Sequence, residues 1–107
     1  MNIREKILIV EDEKSIAHFI STILNSNDYE TLLARSGSEA KTMISSHCPD
    51  LVILDLGLPD MDGIDLAHLI HQQGYRIPVV FLADGPERAM EAYRAGALQY
   101  LVRPLEQ

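Results

Sequence analysis

A chain of 107 residues, 47% apolar and 23% charged, is long enough for one hydrophobic core, too short for two, and too apolar to stay disordered. Its formal charge of −7 leaves no basic face for a phosphate backbone, which argues against direct nucleic-acid binding by this segment. The single cysteine, Cys48, has no internal disulfide partner, no basic-then-apolar leader opens the chain, and no apolar run approaches a membrane span, so a cytoplasmic protein without membrane contact is expected.

In chain order, Lys6 to Val10 is a short apolar run that reads as a strand, and three acids, Glu11, Asp12 and Glu13, follow it. Ile16, Phe19, Ile20, Ile23 and Leu24 recur at helical spacing from Ser15 to about Ser26, where Asn25, Asn27 and Asp28 end the pattern. Tyr29 to Ala34 reads as a second strand. Ser36 and Glu39 have the spacing of a capping box, and Ala40, Met43 and Ile44 give the next helix one apolar face, closed by Pro49. His47 and Cys48 are too few to ligate a metal, so packing is the role expected of them.

Leu51 to Leu54 is an unbroken apolar run of the kind buried on both faces of a parallel sheet, and Asp55 follows it at once. The loop after Asp55 contains Gly57, Pro59 and Gly63. A helix from Ile64 to Gly74 carries His68 and His71 on a face expected to be solvated. Ile77 to Leu82 reads as a fourth strand, with Pro78 near its start, where a strand tolerates proline best. A turn at Asp84, Gly85 and Pro86 leads to a helix over Glu87 to Ala95 that stops at Gly96, and Gln99 to Val102 forms a fifth strand ended by Arg103 and Pro104.

Strands alternating with helices of these lengths predict an α/β fold, a flavodoxin-like doubly wound parallel sheet of five strands with right-handed crossovers. The order known for such sheets, 2-1-3-4-5, makes the first and third strands neighbours at the switch point, where ligands bind. Glu11, Asp12 and Asp55 then converge on one crevice. Such carboxylates repel one another unless a cation intervenes, and hard oxygen ligands suit Mg²⁺. A carboxylate beside that ion is a competent nucleophile toward phosphorus, and Asp55, on the central strand, is the best fixed of the three. Arg103, at the same sheet edge, supplies a cation for a phosphoryl group.

Residues Ile7 to Glu13, Asp50 to Gly63, Ile77 to Leu82 and Gly96 to Pro104 resemble the receiver domain of two-component response regulators, in register over nearly the whole chain. The first half, Asp55 to Ile64 above all, looks most like the winged-helix regulators of potassium-transport operons. The resemblance implies one receiver domain over 1–107 that takes a phosphoryl group from a histidine kinase onto Asp55 and passes the signal to an effector domain or partner protein. It is no enzyme beyond self-catalysed phosphoryl transfer and autodephosphorylation. It further implies Mg²⁺ held by Asp12, Asp55 and the Gly57 carbonyl, with Glu11 acting through water, Tyr100 as an aromatic residue that turns inward on activation, and a cis peptide bond before Pro104.

Three departures stand out. Ala83 occupies a position where the family has Ser or Thr, Arg103 replaces a lysine, and the run from Ala83 to Gly96 is shorter than the family pattern. Without the hydroxyl, switching is expected to be weakened. A hydrogen bond to a charged group contributes roughly 1.5–3 kcal/mol, against about 5.5 kcal/mol for a full two-state shift. No residues remain for the family's fifth helix, so an apolar face should lie open, explained by a truncated chain, a longer natural one or a homodimer. Set against the phosphoacceptor is a pseudo-receiver that binds partners without phosphorylation. A small flavodoxin-like cofactor binder is disfavoured, because acids stand where a phosphate-bearing cofactor needs glycines and free N–H groups.

Overall fold

The computed structural model describes residues 4–104. Five parallel strands, β1 (Lys6–Val10), β2 (Glu30–Ala34), β3 (Leu51–Asp55), β4 (Val79–Ala83) and β5 (Gln99–Val102), form one sheet in the order β2-β1-β3-β4-β5. Four helices connect them: α1 (Lys14–Ser26), α2 (Gly37–His47), α3 (Gly63–Gln72) and α4 (Ala89–Arg94). No helix among the described residues is long and apolar enough to cross a membrane.

The interior strands are apolar between Lys6 at the start of β1 and Asp55 at the end of β3 because both faces are covered. Leu8, Val10, Val52, Leu54, Val79 and Phe81 are fully or almost fully buried against α2, α3 and α4, each contributing roughly 1.5–3 kcal/mol by leaving water. Ile9 and Leu82 point the other way and form a small cluster with Ala17 and Ile20 of α1, with Ile16, Phe19, Leu24 and Ile53 partly covered around them. That second layer is thin, and Ile23 and Leu101 stay 46% and 40% exposed. The expectation of no residues for a fifth helix turns on 105–107, which lie outside the described residues.

Local signals set the helix ends. Ser36 accepts the N–H of Glu39 at 3.1 Å at the start of α2, and Asp62 accepts that of Asp65 at 3.4 Å at the start of α3. At Gly63 a Cβ would lie 2.4 Å from the backbone carbonyl oxygen of Asp55, so only glycine lets α3 begin directly against the end of β3. Gly96 closes the α4 segment at φ +92°, a conformation that L side chains avoid.

Several expectations are corrected. β4 starts at Val79, not Ile77, because Pro78 has no N–H to give the ladder and contributes only its carbonyl, which accepts from Val52. The helix expected over Glu87 to Ala95 divides into a 3₁₀ turn, Pro86–Arg88, and the short α4. Tyr29 stays outside β2; its N–H bonds the Leu24 carbonyl at the exit of α1. His47 and Cys48 do not pack. Both are exposed, since Cys48 ends α2 in the left-handed conformation and the buried residue of that exit is Pro49. His68 and His71 lie on an exposed face, as expected.

Candidate functional site

Strand register assembles the site. Val10 pairs with Leu54, Asp55 with Leu82 and Ala83 with Val102, so Glu11, Asp55, Asp84 and Arg103 all emerge at the carboxyl edge of the sheet. The Arg103 N–H donates to the Ala83 carbonyl at 2.8 Å, which carries the ladder one step past β5 and fixes the arginine backbone. The bond from Arg103 to Pro104 is cis, as the family resemblance implied.

Carboxylate oxygens of Glu11, Asp12 and Asp55 lie within 4.8 Å of one another. Glu11 and Asp55 are buried, at 2% exposure each, whereas Asp12 faces solvent. An all-oxygen donor set that keeps one face open to water fits Mg²⁺, which binds through one or two carboxylates and retains several waters. Glu11 Oε2 accepts the N–H of Glu13 at 3.1 Å. Burial, reinforced by the Asp55 charge, pushes the Glu11 carboxyl up to about 7, against the lowering effects of the Glu13 amide and Arg103.

Arg103 is the charge partner of the acids, and it serves more of them than expected. Its Nη1 donates to Glu11 Oε1 at 2.6 Å, its Nη2 to Asp55 Oδ1 at 2.8 Å and its Nε to Asp84 Oδ1 at 3.0 Å. The planar fork makes these simultaneous contacts possible; a lysine ammonium would not reach them in the same geometry. Asp55 Oδ1 also accepts the Gly57 N–H at 3.2 Å, which shapes the loop that follows. Among the described residues no hydrogen bond reaches Asp55 Oδ2, and no buried polar side-chain atom lacks a partner, so Oδ2 is the oxygen that solvent reaches.

Ala83 is 3% exposed and presents a methyl group where a hydroxyl would meet the crevice. It lines a cavity of about 270 Å³ together with Gly57, Gly85 and Tyr100. Tyr100 is half-buried against the main core, and its hydroxyl donates to the Gly85 carbonyl at 2.6 Å.

Sequence reasoning missed three partners. Asp84 follows a strand just as Asp55 does, and the rule that singled out one would have found the other. Asp60 accepts the N–H groups of Gly37 and Ser38 at 2.8 and 2.9 Å, which ties the loop after β3 to the start of α2 and holds its carboxyl below the usual range. Arg88 pairs with Asp62 and Glu91, and no local pattern announces its contact to Asp62.

The family description "Response regulator receiver domain" matches residues 7–107. The regulatory protein AtoC of Escherichia coli is 33% identical over 103 residues, which cover 94% of this chain and 22% of that protein. The DNA-binding response regulator MtrA of Mycolicibacterium smegmatis is 31% identical over 105 residues, covering 96% and 46%. This chain thus spans under half the length of these curated relatives. Among solved structures, the receiver domain of the Francisella response regulator 1452 superposes with a TM-score of 0.89 at 32% identity, covering 96% of this chain and 87% of the other. A response regulator from Chloroflexus aurantiacus superposes equally well, with a TM-score of 0.89 at 34% identity and coverage of 97% and 88%.

Proposed function

This chain belongs to the response regulator receiver domain family, and on that premise we propose that Asp55 accepts a phosphoryl group from the phosphohistidine of a histidine kinase. The observation that carries this reading is the Asp55 carboxylate itself, one oxygen tied by Arg103 and Gly57 and the other open to solvent within a cluster of acids. Oδ2 forms the new bond to phosphorus as the phosphorus–nitrogen bond of the donor breaks; the imidazole leaves with the electron pair and a proton from water. Arg103 is already oriented to take a phosphoryl oxygen in place of a carboxylate. Asp12, Asp55 and the Gly57 carbonyl would hold Mg²⁺, with Glu11 acting through water. The ion supplies positive charge that offsets repulsion between the acids and the incoming phosphoryl group. Asp55 phosphate then hydrolyses without a separate enzyme.

Ala83 supports a weakened conformational response, since no hydroxyl on β4 reaches toward the phosphoryl oxygen. The 31% identity to the DNA-binding response regulator MtrA supports a transcriptional output through a DNA-binding effector in the cytoplasm, and kinship with winged-helix regulators of potassium-transport operons is part of this proposal. The exposed apolar side chains of α4 and β5 support assembly into a homodimer. A second reading, the pseudo-receiver, draws on Arg103, whose guanidinium already offsets part of the charge of Glu11 and Asp55. Mass spectrometry after incubation with acetyl phosphate and Mg²⁺ separates the two. One added phosphoryl group on the wild type and none on Asp55→Ala is the expected result; an unlabelled wild type favours the pseudo-receiver, and equal labelling of both removes Asp55 from its role.

A further inference from the structure

Arg88 joins two loops that the chain keeps far apart. Its guanidinium grips Asp62, 26 residues earlier, through both carboxylate oxygens, with Nη2 to Oδ2 at 3.1 Å. Nε and Nη2 also hold the Glu91 carboxylate at 2.9 and 3.0 Å. Asp62 is itself anchored twice, as the cap of α3 and as the partner of Gly57 in an isolated antiparallel bridge. The two loops face each other across the cavity of about 270 Å³ beside Ala83. On the far side of that cavity the Gly85 carbonyl, which precedes the 3₁₀ turn ending at Arg88, holds the Tyr100 hydroxyl. The carboxyls of Asp62 and Glu91 are both held below the usual range, first by their hydrogen bonds to Arg88, so the cluster stays fully ionised at neutral pH.

We propose that Arg88 is a positioning residue: its fork to Asp62 straps residues 84–88 to the start of α3 and thereby sets where Tyr100 sits. With only a methyl group at position 83, the tip of β4 offers no side-chain donor to couple this segment to chemistry at Asp55. Arg103 ties Asp84, the first residue of the segment, to Asp55; the strap ties its last residue to the start of α3 by a contact that does not involve Asp55. The significance of the loop rests on the receiver reading above, but the strap is a property of the unphosphorylated protein and is tested there.

Hydrogen exchange of the segment's amides, those of residues 84, 85, 87 and 88, and the NMR signals of the Tyr100 ring, measured without any phosphoryl donor, test it in Arg88→Gln and Arg88→Lys. An ion pair this exposed, with side chains at 37% and 30%, holds a loop only modestly, so exchange of 84–88 should rise roughly two- to fivefold in Arg88→Gln. The Tyr100 signals should shift, while the amides of Leu8 and Ile9 keep their wild-type rates. Arg88→Lys, which offers one donor point in place of a fork, should fall between. Unchanged loop exchange and an unmoved Tyr100 in Arg88→Gln overturn the proposal, as does a rise in the β1 amides equal to that in the loop, which would mean a general loss of stability. Loss of labelling at Asp55 is scored separately and bears on the phosphoacceptor alone.

Discussion

Arg103 turns a repulsive cluster of acids into a compensated one. With its side chain 15% exposed and those of Glu11 and Asp55 at 1% and 3%, its contacts to them are buried ion pairs, whose value lies less in net stabilisation than in the cost of breaking them. Replacing Arg103 with Met leaves the acids unpaired and should cost roughly 3–5 kcal/mol in metal-free urea unfolding. Part of that loss should return on adding Mg²⁺, because an ion that binds only the folded form stabilises it with the logarithm of its concentration over Kd. A urea midpoint of Arg103→Met that Mg²⁺ leaves unmoved would show that the ion does not occupy the acidic cluster.

Glu11 gives the same pocket a pH signature. Its carboxyl is raised from 4.5 to about 7, burial being the main cause, so the folded protein binds that proton more tightly than the unfolded chain does. The stability it contributes is complete below the unfolded value of 4.5 and is lost as pH rises through about 7. Urea midpoints of the metal-free protein should therefore fall between pH 5 and 8 more steeply in the wild type than in Glu11→Gln. Mg²⁺ affinity should move the other way, rising with pH over that range as the proton leaves the carboxylate.

At the level of elements, the tips of β3 and β4 decide what the site can transmit. Gly63 lets α3 start against the Asp55 carbonyl, and the Asp62 cap is thereby set beside Gly57. β4 ends in Ala83, buried and without a polar atom on its side chain. Ala83→Ser adds a hydroxyl next to the cavity and restores a donor worth roughly 1.5–3 kcal/mol to a charged acceptor. With acetyl phosphate and Mg²⁺, Ala83→Ser should show a phosphorylation-dependent change in Tyr100 that exceeds the wild-type change. Equal responses would mean that residue 83 does not limit the switch.

Across the whole molecule, exposed apolar side chains lie on both faces of the sheet, and the α1 face is the more thinly covered. Met90, Tyr93, Leu98, Leu101 and Val102 are 40–66% exposed on α4, on β5 and between them, and a cleft of about 450 Å³ against α1 is lined by Ile16, Phe19, Arg103 and Pro104. A cleft with apolar walls and exposed apolar side chains on β5 is the kind of surface a second copy of the chain would cover. Light scattering at rising concentration should give a dimer mass that Leu101→Lys reduces to that of the monomer. A monomer at every concentration would rule out self-association through this face.

Strand and helix types, the parallel sheet and the convergence of Glu11, Asp12 and Asp55 were all legible in the sequence. These follow from short-range facts: apolar runs that need burial on both faces, caps three residues apart, and acids placed directly after strands whose neighbours in the sheet are known. Boundaries near proline were less legible. Pro78 moved the start of β4 because its missing N–H acts on a ladder whose partner strand lies elsewhere in the chain, and the 3₁₀ turn that opens at Pro86 delayed α4 to Ala89. The reach of Arg103 to acids 48 and 92 residues away, and of Arg88 to Asp62, belongs to the tertiary structure alone. A long, flexible cation can pair with any carboxylate that folding brings near it, and which one is set by strand register and loop path, not by any spacing along the chain.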